Sequence, residues 1–210
     1  FIGAIAGRYA GRIAPGSFRL GDRRYQIPVN DKGHALHGGP QGTWSRIWQG
    51  EPIQDGDQVG VRFHLTSEDG DQGFPGRLEI QCSYLVRDAE VEILLSATTD
   101  APTPVNLTSH AYFQLDGEQG VRDEWLMVVA DAVLAIQPDG IPTGELWDVA
   151  GTDFDYRAGR RLGWAVESAD PRLQAQRGLD HTYVLTQPGL AAQLTSADGS
   201  RVLSVSTDQP

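Results

Sequence analysis

Two segments decide the fold, VGVRFHLTS at residues 59–67 and LEIQCSYLVRDAEVEILLSATT at residues 78–99. Every second residue from Val59 to Leu65 is apolar, which is the period of a strand with one buried face. The same alternation runs through residues 78–86 and again through 91–97, on either side of the turn-forming Arg87-Asp88-Ala89. The pattern predicts an antiparallel hairpin.

Further hairpins are predicted on both sides of this region. Ala197-Asp198-Gly199-Ser200 separates residues 191–196 from 202–207, and Gly21-Asp22 separates residues 18–20 from 25–27. Asp-Gly supplies the positive φ angles that tight turns require. The only helix that the spacing of apolar residues suggests is a short piece within residues 156–166. The sequence therefore predicts an all-β fold, a large antiparallel β-sandwich in which residues 1–210 form a single domain. Since residues 1 and 210 both lie next to apolar runs, we expect that domain to be incomplete.

Composition narrows the classes of partner. The chain has 210 residues, with 17 Lys and Arg against 28 Asp and Glu, a formal net charge of -11. This charge opposes non-specific binding to nucleic acid and to anionic membranes. Cys82 is the single cysteine, which excludes an internal disulfide and a thiolate zinc site. No run approaches the roughly 18 apolar residues of a membrane span. A small-molecule partner in the cytoplasm is the simplest expectation, and no feature indicates an oligomeric state.

The histidines are the first candidates for chemistry, because imidazole exchanges protons near neutral pH. His37 precedes Gly38 and Gly39, which let a backbone approach a ligand closely, although a plain turn explains the pattern as well. His110 lies in PVNLTSHAYF, where it is either an oriented functional imidazole or a core histidine bonded to a carbonyl. His64 occupies the polar face of its strand, which predicts simple solvation.

Other polar candidates are less distinctive. Asp180 could bind hydroxyl groups, and because neighbours on a strand face opposite ways, at most one of Asp180 and His181 should point into a pocket. Arg8 and Arg12 read as ordinary surface charges. The histidines are too far apart in sequence to carry a metal-site signature, so no metal is predicted.

Seven segments, in order, resemble the aldose 1-epimerase (galactose mutarotase) family. They are GRYAGRIAPGSF at 7–18, LHGG at 36–39, DQGFPG at 71–76, PVNLTSHAYFQLDG at 104–117, PTGE at 142–145, FDYR at 154–157 and LDHTYVL at 179–185. The resemblance runs through essentially the whole chain. It implies a large antiparallel β-sandwich with a sugar cleft on one face.

The resemblance also implies roles for individual residues. His110 matches the general acid that protonates the ring oxygen of the sugar, and His37 and Arg12 match residues that bind the sugar and stabilise charge. Asp180 matches the aspartate that holds sugar hydroxyls. The implied activity interconverts the α and β anomers of a free aldohexose such as galactose or glucose by acid/base ring opening, without a cofactor.

The chain departs from the family pattern in two respects. Gly11 stands where many members have Asn, so one sugar contact is replaced or missing. The family's general base is a glutamate downstream of the segment that VLSVSTDQP resembles, which places it beyond Pro210. These 210 residues thus correspond to a central portion of the family domain, and we expect them to be inactive alone.

Two other functions stay open at this point. A non-catalytic sugar-binding module would use exposed aromatic rings on pyranose faces, with Trp44, Trp48, Tyr112 and Trp147 as candidates; core packing is the alternative role for these rings. A hexose-phosphate epimerase relative would need a basic cluster for the phosphate, for which Arg8, Arg12, Arg23 and Arg24 lie near one another in sequence.

Overall fold

The computed structural model describes the backbone of residues 1–210 and every side chain except that of Gln119. The chain divides into two compact units, Phe1–Tyr112 and Phe113–Pro210. Each unit has its own sheets and its own buried clusters. Neither unit has, among the described residues, a helix with the length and hydropathy of a membrane span.

The first unit is built from strands whose ladders are all antiparallel among the described residues. The strands are β1 (Ile5–Ala6), β2 (Arg12–Ile13), β3 (Ser17–Leu20), β4 (Arg23–Gln26), β5 (Ala35–Leu36), β6 (Gln49–Asp55), β7 (Gln58–Ser67), β8 (Leu78–Arg87), β9 (Glu90–Thr99) and β10 (Thr108–Ser109).

Strands β6 to β9 form a four-stranded sheet in sequence order, which confirms the predicted hairpin of β8 and β9. The turn between them is tight, because Arg87 pairs with Glu90 and Asp88 adopts a φ of 50°. At one end of the sheet, the alternating apolar residues are buried on one face, as the pattern predicts. Leu65 pairs with Ile80, and both side chains are buried in one cluster with Leu78.

Three short ladders organise the remaining strands of the first unit. Strand β1 pairs with β10, β2 pairs with β5, and β3 pairs with β4 across the predicted Gly21-Asp22 turn. A second buried cluster, formed by Ile27, Ala35 and Phe74, packs against Ile13 of β2 and Phe18 of β3. The β1–β10 and β2–β5 ladders join segments that are not adjacent in sequence, and His110 and His37 directly follow β10 and β5.

The second unit contains seven strands and two short α-helices within the described residues. They are β11 (Trp125–Val128), β12 (Ala130–Ile136), β13 (Pro142–Asp148), β14 (Arg160–Arg161), α1 (Gly163–Glu167), α2 (Pro171–Gln176), β15 (Tyr183–Leu185), β16 (Gly189–Thr195) and β17 (Val202–Thr207). The sheets have the orders β14-β11-β16-β17 and β13-β12-β15. The predicted hairpin around Asp198-Gly199 is confirmed by β16 and β17. Phe154, Tyr156, Val133 and Leu173 are among the buried residues of its core.

The helix prediction was only partly right. Helix α1 overlaps the end of the predicted piece at 156–166, whereas α2 was not predicted. Helix α2 has six residues, too few to show helical periodicity, but its start carries a recognisable signal. Asp170 is the N-cap and accepts a hydrogen bond from the backbone N–H of Arg172, and Pro171 occupies the first turn.

Replacing Asp170 should separate its capping role from its charge. Asp170→Ala removes the cap and should lower the free energy of unfolding by about 0.5–2 kcal/mol, whereas Asp170→Asn keeps a capping side chain and should cost less. The hydrogen bond from the Arg172 side chain holds the pKa of Asp170 below its usual value. A depressed carboxyl pKa stabilises the fold above the unfolded pKa of about 3.9, and this contribution is lost as pH falls through the folded pKa. The difference between wild type and Asp170→Asn in urea unfolding should therefore shrink from pH 7 to pH 3. A difference that is the same at both pH values would contradict the assignment.

Candidate active site

His37 stands at the end of β5, in a turn that its two following glycines allow. Its φ is 53°, and Gly38 and Gly39 also have positive φ angles of 83° and 91°. The His37 backbone N–H donates to the Gly11 carbonyl at 3.2 Å, and the Gly11 N–H donates to His37 Nδ1 at 3.3 Å. Because Nδ1 accepts a hydrogen bond, the ring is held as the tautomer that carries its proton on Nε2. Nε2 is then a hydrogen-bond donor.

His110 directly follows β10 and is held by the strand opposite. Its backbone N–H donates to the Ala4 carbonyl at 2.9 Å, and its carbonyl accepts from the Gly3 N–H at 2.9 Å. These bonds continue the β1–β10 ladder, so the backbone of His110 is fixed at both its polar groups. The side chain is half-buried.

The structure brings these two imidazoles together although they are separated by 73 positions in sequence. Their ring centroids lie 5.1 Å apart with the planes at 85°. Tyr112 stacks on His110 at 5.1 Å, and Phe1 contacts the His37 ring edge-on at 4.7 Å. The structure thus places the two candidate imidazoles side by side, and their chemical roles stay predictions.

Arg12 lies beside His37, because β2 pairs Arg12 with Leu36, the residue before His37. The Arg12 Nε–H donates to Asp31 Oδ2 at 2.8 Å, in an ion pair that is mostly shielded from solvent. Asp31 thereby orients the guanidinium, and this bond occupies only one of its five N–H groups. The remaining donor capacity and the positive charge suit Arg12 to a ligand rich in hydroxyl groups.

Arg8 was predicted to be a surface charge, and this prediction is wrong. Its residue is 2% exposed, and its guanidinium donates hydrogen bonds to Ser67, Glu68, Pro75 and Thr103. The burial of Arg8 was not predictable from neighbouring residues. An arginine is almost never fully buried unless its donors are paired, and the partners of Arg8 lie about 60 to 95 positions away in sequence.

Asp180 belongs to the second unit and is exposed in the segment between α2 and β15. Its backbone N–H donates to the Nδ1 of His181 at 3.4 Å, while the His181 ring packs edge-on against Phe154 at 4.7 Å. Burial lowers the pKa of His181, which favours the neutral imidazole that can accept this bond. The two side chains lie in different environments, but the alternation of a strand is not the reason, because both residues precede β15. The place of Asp180 relative to His37 and His110 stays a prediction.

Most of the candidate stacking rings have structural partners. The Trp44 indole N–H donates to the Gly39 carbonyl at 3.3 Å, and that of Trp48 donates to the Thr43 carbonyl at 3.1 Å. Trp147 packs against the core of the second unit. Tyr112, which is 66% exposed, is the candidate ring best placed to meet a ligand. Sequence reasoning missed Phe1 and Asp31, since neither belongs to a pattern that indicates a site.

Curated relatives cover the whole chain. A family model described as "Aldose 1-epimerase" matches residues 1–210. An aldose 1-epimerase from Escherichia coli (strain K12) is 40% identical over 216 residues, which cover 100% of this chain and 61% of that protein. A galactose mutarotase from Homo sapiens is 34% identical over 215 residues, with 100% and 60% covered. The chain therefore spans about three fifths of the length of these relatives.

Solved structures agree with this relationship. A galactose 1-epimerase from Lactobacillus acidophilus NCFM superposes with a TM-score of 0.87 at 35% identity, over 93% of this chain and 58% of the other. An aldose epimerase homologue from C. elegans gives 0.85 at 31% identity, over 97% and 61%. These neighbours confirm the predicted fold class, an antiparallel β-sandwich of the galactose mutarotase type. The sequence match along all 210 residues and these structural similarities together show that the chain belongs to the aldose 1-epimerase family.

Proposed function

We propose that the protein is an aldose 1-epimerase that interconverts the α and β anomers of a free aldohexose, galactose or glucose. The observation that carries the proposal is the pair of imidazole rings at His37 and His110, 5.1 Å apart in a chain of this family. The relatives named aldose 1-epimerase and galactose mutarotase support the reaction and a monosaccharide substrate. The single cysteine is compatible with a cytoplasmic enzyme, and residues 1–210 are proposed to act as part of one domain.

The reaction needs a base at the anomeric hydroxyl and an acid at the ring oxygen, the two oxygens that are bonded to C1. A base takes the proton of the anomeric hydroxyl, the electron pair forms the aldehyde carbonyl, and the bond from C1 to the ring oxygen breaks as His110 donates its proton to that oxygen. Rotation about the bond between C1 and C2 presents the other face of the aldehyde. Reversal of the same proton transfers closes the ring to the other anomer and restores His110. By resemblance, the base is a family glutamate outside residues 1–210.

The other candidate residues bind and stabilise charge. His37, whose Nδ1 accepts from the Gly11 N–H, is proposed from the family resemblance to hydrogen-bond a sugar oxygen. Arg12 contributes positive charge near the oxygen on which negative charge develops while the ring opens. Asp180, an exposed carboxylate, is proposed to accept hydrogen bonds from sugar hydroxyls. No step requires a redox change, so the proposal includes no cofactor.

The phosphate-binding alternative is not supported by the positions of its arginines. Arg8 is buried with its donors used by the protein, and Arg12 is paired with Asp31. Arg24 donates to Ser17, and the Arg23 guanidinium lies over the Tyr25 ring at 5.1 Å. A sugar-binding module without catalysis is less favoured, because it gives no role to an acid that faces a second imidazole.

Polarimetry tests the proposal. Full-length protein added to freshly dissolved α-D-galactose or α-D-glucose should accelerate the approach of optical rotation to its equilibrium value, and it should leave that final value unchanged. A phosphorylated hexose offered in parallel should react more slowly than the free sugar. If full-length protein left the rate for every free aldose at the uncatalysed value, the proposed function would be wrong.

A further inference from the structure

The buried Arg8 is a group that the proposed mechanism does not use. Its guanidinium makes five hydrogen bonds: Nε donates to Ser67 Oγ at 2.9 Å, and the two terminal nitrogens donate to the carbonyls of Ser67, Glu68 and Pro75 and to the Thr103 hydroxyl at 2.8–3.4 Å. All five acceptors are neutral oxygens. Ser67 Oγ in turn donates to Asp71 Oδ2 at 2.6 Å, which couples the buried charge to a carboxylate through one hydroxyl.

Such an environment fixes the side chain in one orientation. A buried guanidinium is costly unless every donor has a partner, so any other orientation would leave several donors unpaired. The face of the group also lies over the Phe74 ring, with its central carbon 5.7 Å from the ring centroid. Arg8 is therefore anchored to the segment 67–75, which includes most of the DQGFPG motif.

The backbone next to Arg8 lies between the segments that carry the two histidines. On one side, the Arg8 carbonyl accepts from the Asn106 N–H at 2.8 Å, and the Ala10 N–H donates to the Asn106 carbonyl at 2.7 Å. Asn106 leads directly into β10 and His110. On the other side, the Gly11 N–H and carbonyl both bind His37.

The loop that follows His37 packs against the backbone at Gly7. The Gly7 carbonyl accepts from the Thr43 N–H at 3.2 Å. A Cβ atom added at Gly38 would lie 1.8 Å from the same carbonyl oxygen, and one added at Gly42 would lie 2.8 Å from it. The residue whose carbonyl supports this loop is thus the immediate neighbour of Arg8.

From these contacts we infer that Arg8 is a positioning residue for both imidazoles. By holding residues 7–11 against the segment 67–75, it sets the separation and the mutual orientation of His37 and His110 without touching the sugar. The inference rests on the proposed function for its kinetic consequences, but the geometric part stands on contacts within the first unit alone.

A double-mutant cycle tests the kinetic part in the full-length protein. Arg8→Lys keeps the charge but replaces five fanned donors with three on one nitrogen, so it should displace residues 7–11 and lower kcat/KM about 10- to 100-fold. In a His37→Gln background the same change should lower kcat/KM by a clearly smaller factor than in wild type, because one of the two positioned groups is already gone. Ser67→Ala, which removes one acceptor, should show the same non-additivity with a smaller effect and keeps the test possible if Arg8→Lys folds poorly.

The control is Ile80→Val, a core change in the four-stranded sheet that leaves every partner of Arg8 in place. A purely structural role for Arg8 would make its effect additive with His37→Gln, as for Ile80→Val, and this outcome would overturn the inference. Nitrogen-15 NMR of histidine-labelled protein supplies a second readout. Arg8→Lys should shift the His37 ring from one tautomer toward an average of two, while His64 stays unchanged.

The NMR comparison also separates the two proposals. If the wild-type protein has no mutarotase activity, the proposed function fails, and the His37 resonances still report whether Arg8 positions the ring. If the enzyme is active but the His37 resonances do not move in Arg8→Lys, the positioning role fails and the proposed function is unaffected.

Discussion

His110→Gln should lower kcat for mutarotation by about 100- to 10,000-fold and leave the affinity for the sugar within a few-fold of wild type. The amide of glutamine is similar in length to imidazole and can still make a hydrogen bond, but it cannot deliver a proton to the ring oxygen, and general acid catalysis typically contributes that factor. The backbone bonds of His110 to Gly3 and Ala4 do not involve its side chain, so the fold should be retained. Polarimetry gives the rate, and isothermal titration with galactose gives the affinity.

His64→Gln is the matched control for this variant. His64 lies in the four-stranded sheet with its Nε2 3.3 Å from Glu51 Oε1. The activity of the His64→Gln variant should remain within about 2-fold of wild type. Equal losses in the two variants would indicate a general effect of removing a histidine. A His110→Gln enzyme with a normal rate would show that another group is the acid.

Among Gly→Ala substitutions in the loop that follows His37, Gly38→Ala should be the most destabilising. Gly38 combines a φ of 83° with a backbone oxygen 1.8 Å from the position of its Cβ, so alanine would be strained and would also push the loop away from Gly7. We expect a loss of about 2–4 kcal/mol, since the positive φ and the forced displacement each cost about 1–2 kcal/mol. For a chain of this size, that corresponds to a Tm lower by roughly 5–15 °C.

Gly33→Ala separates the two causes. Gly33 has nearly the same φ, 85°, but nothing lies within 4 Å of its Cβ position. It should therefore show the conformational cost alone, about 1 kcal/mol, and keep its activity. Differential scanning calorimetry and polarimetry on both variants provide the comparison, and equal Tm values would refute the close approach of Gly38 to Gly7.

Local pattern was sufficient for the sheets and insufficient for the geometry around the histidines. The period of two in β7, β8 and β9 reflects burial along a single strand, and the Asp-Gly turn reflects backbone preferences of two residues, so both are readable from neighbours in sequence. Helix α2 was missed because only its cap was readable.

The site depends on contacts between distant segments, which local pattern does not record. Alternation and spacing left His37 and His110 as separate candidates, each with a purely structural alternative. The family resemblance assigned both residues to the same sugar site. Arg8 shows the same gap more clearly. Composition and position indicate a solvated charge, whereas its burial depends on oxygens contributed by residues 67–75 and 103.

The short ladder between β1 and β10 has an evolutionary consequence. Successive side chains of a strand point to opposite faces. One residue inserted between Gly3 and Gly11 would therefore either turn the following side chains to the opposite face or break the backbone hydrogen bonds to Asn106, Ser109 and His110. Insertions and deletions should therefore be rare in this stretch of nine residues among relatives that keep the β1–β10 ladder. The turn at Gly56, with open space around its Cβ position, makes no such demand. Length variation should accumulate there, and it is the better place for a peptide tag or a fluorescent label.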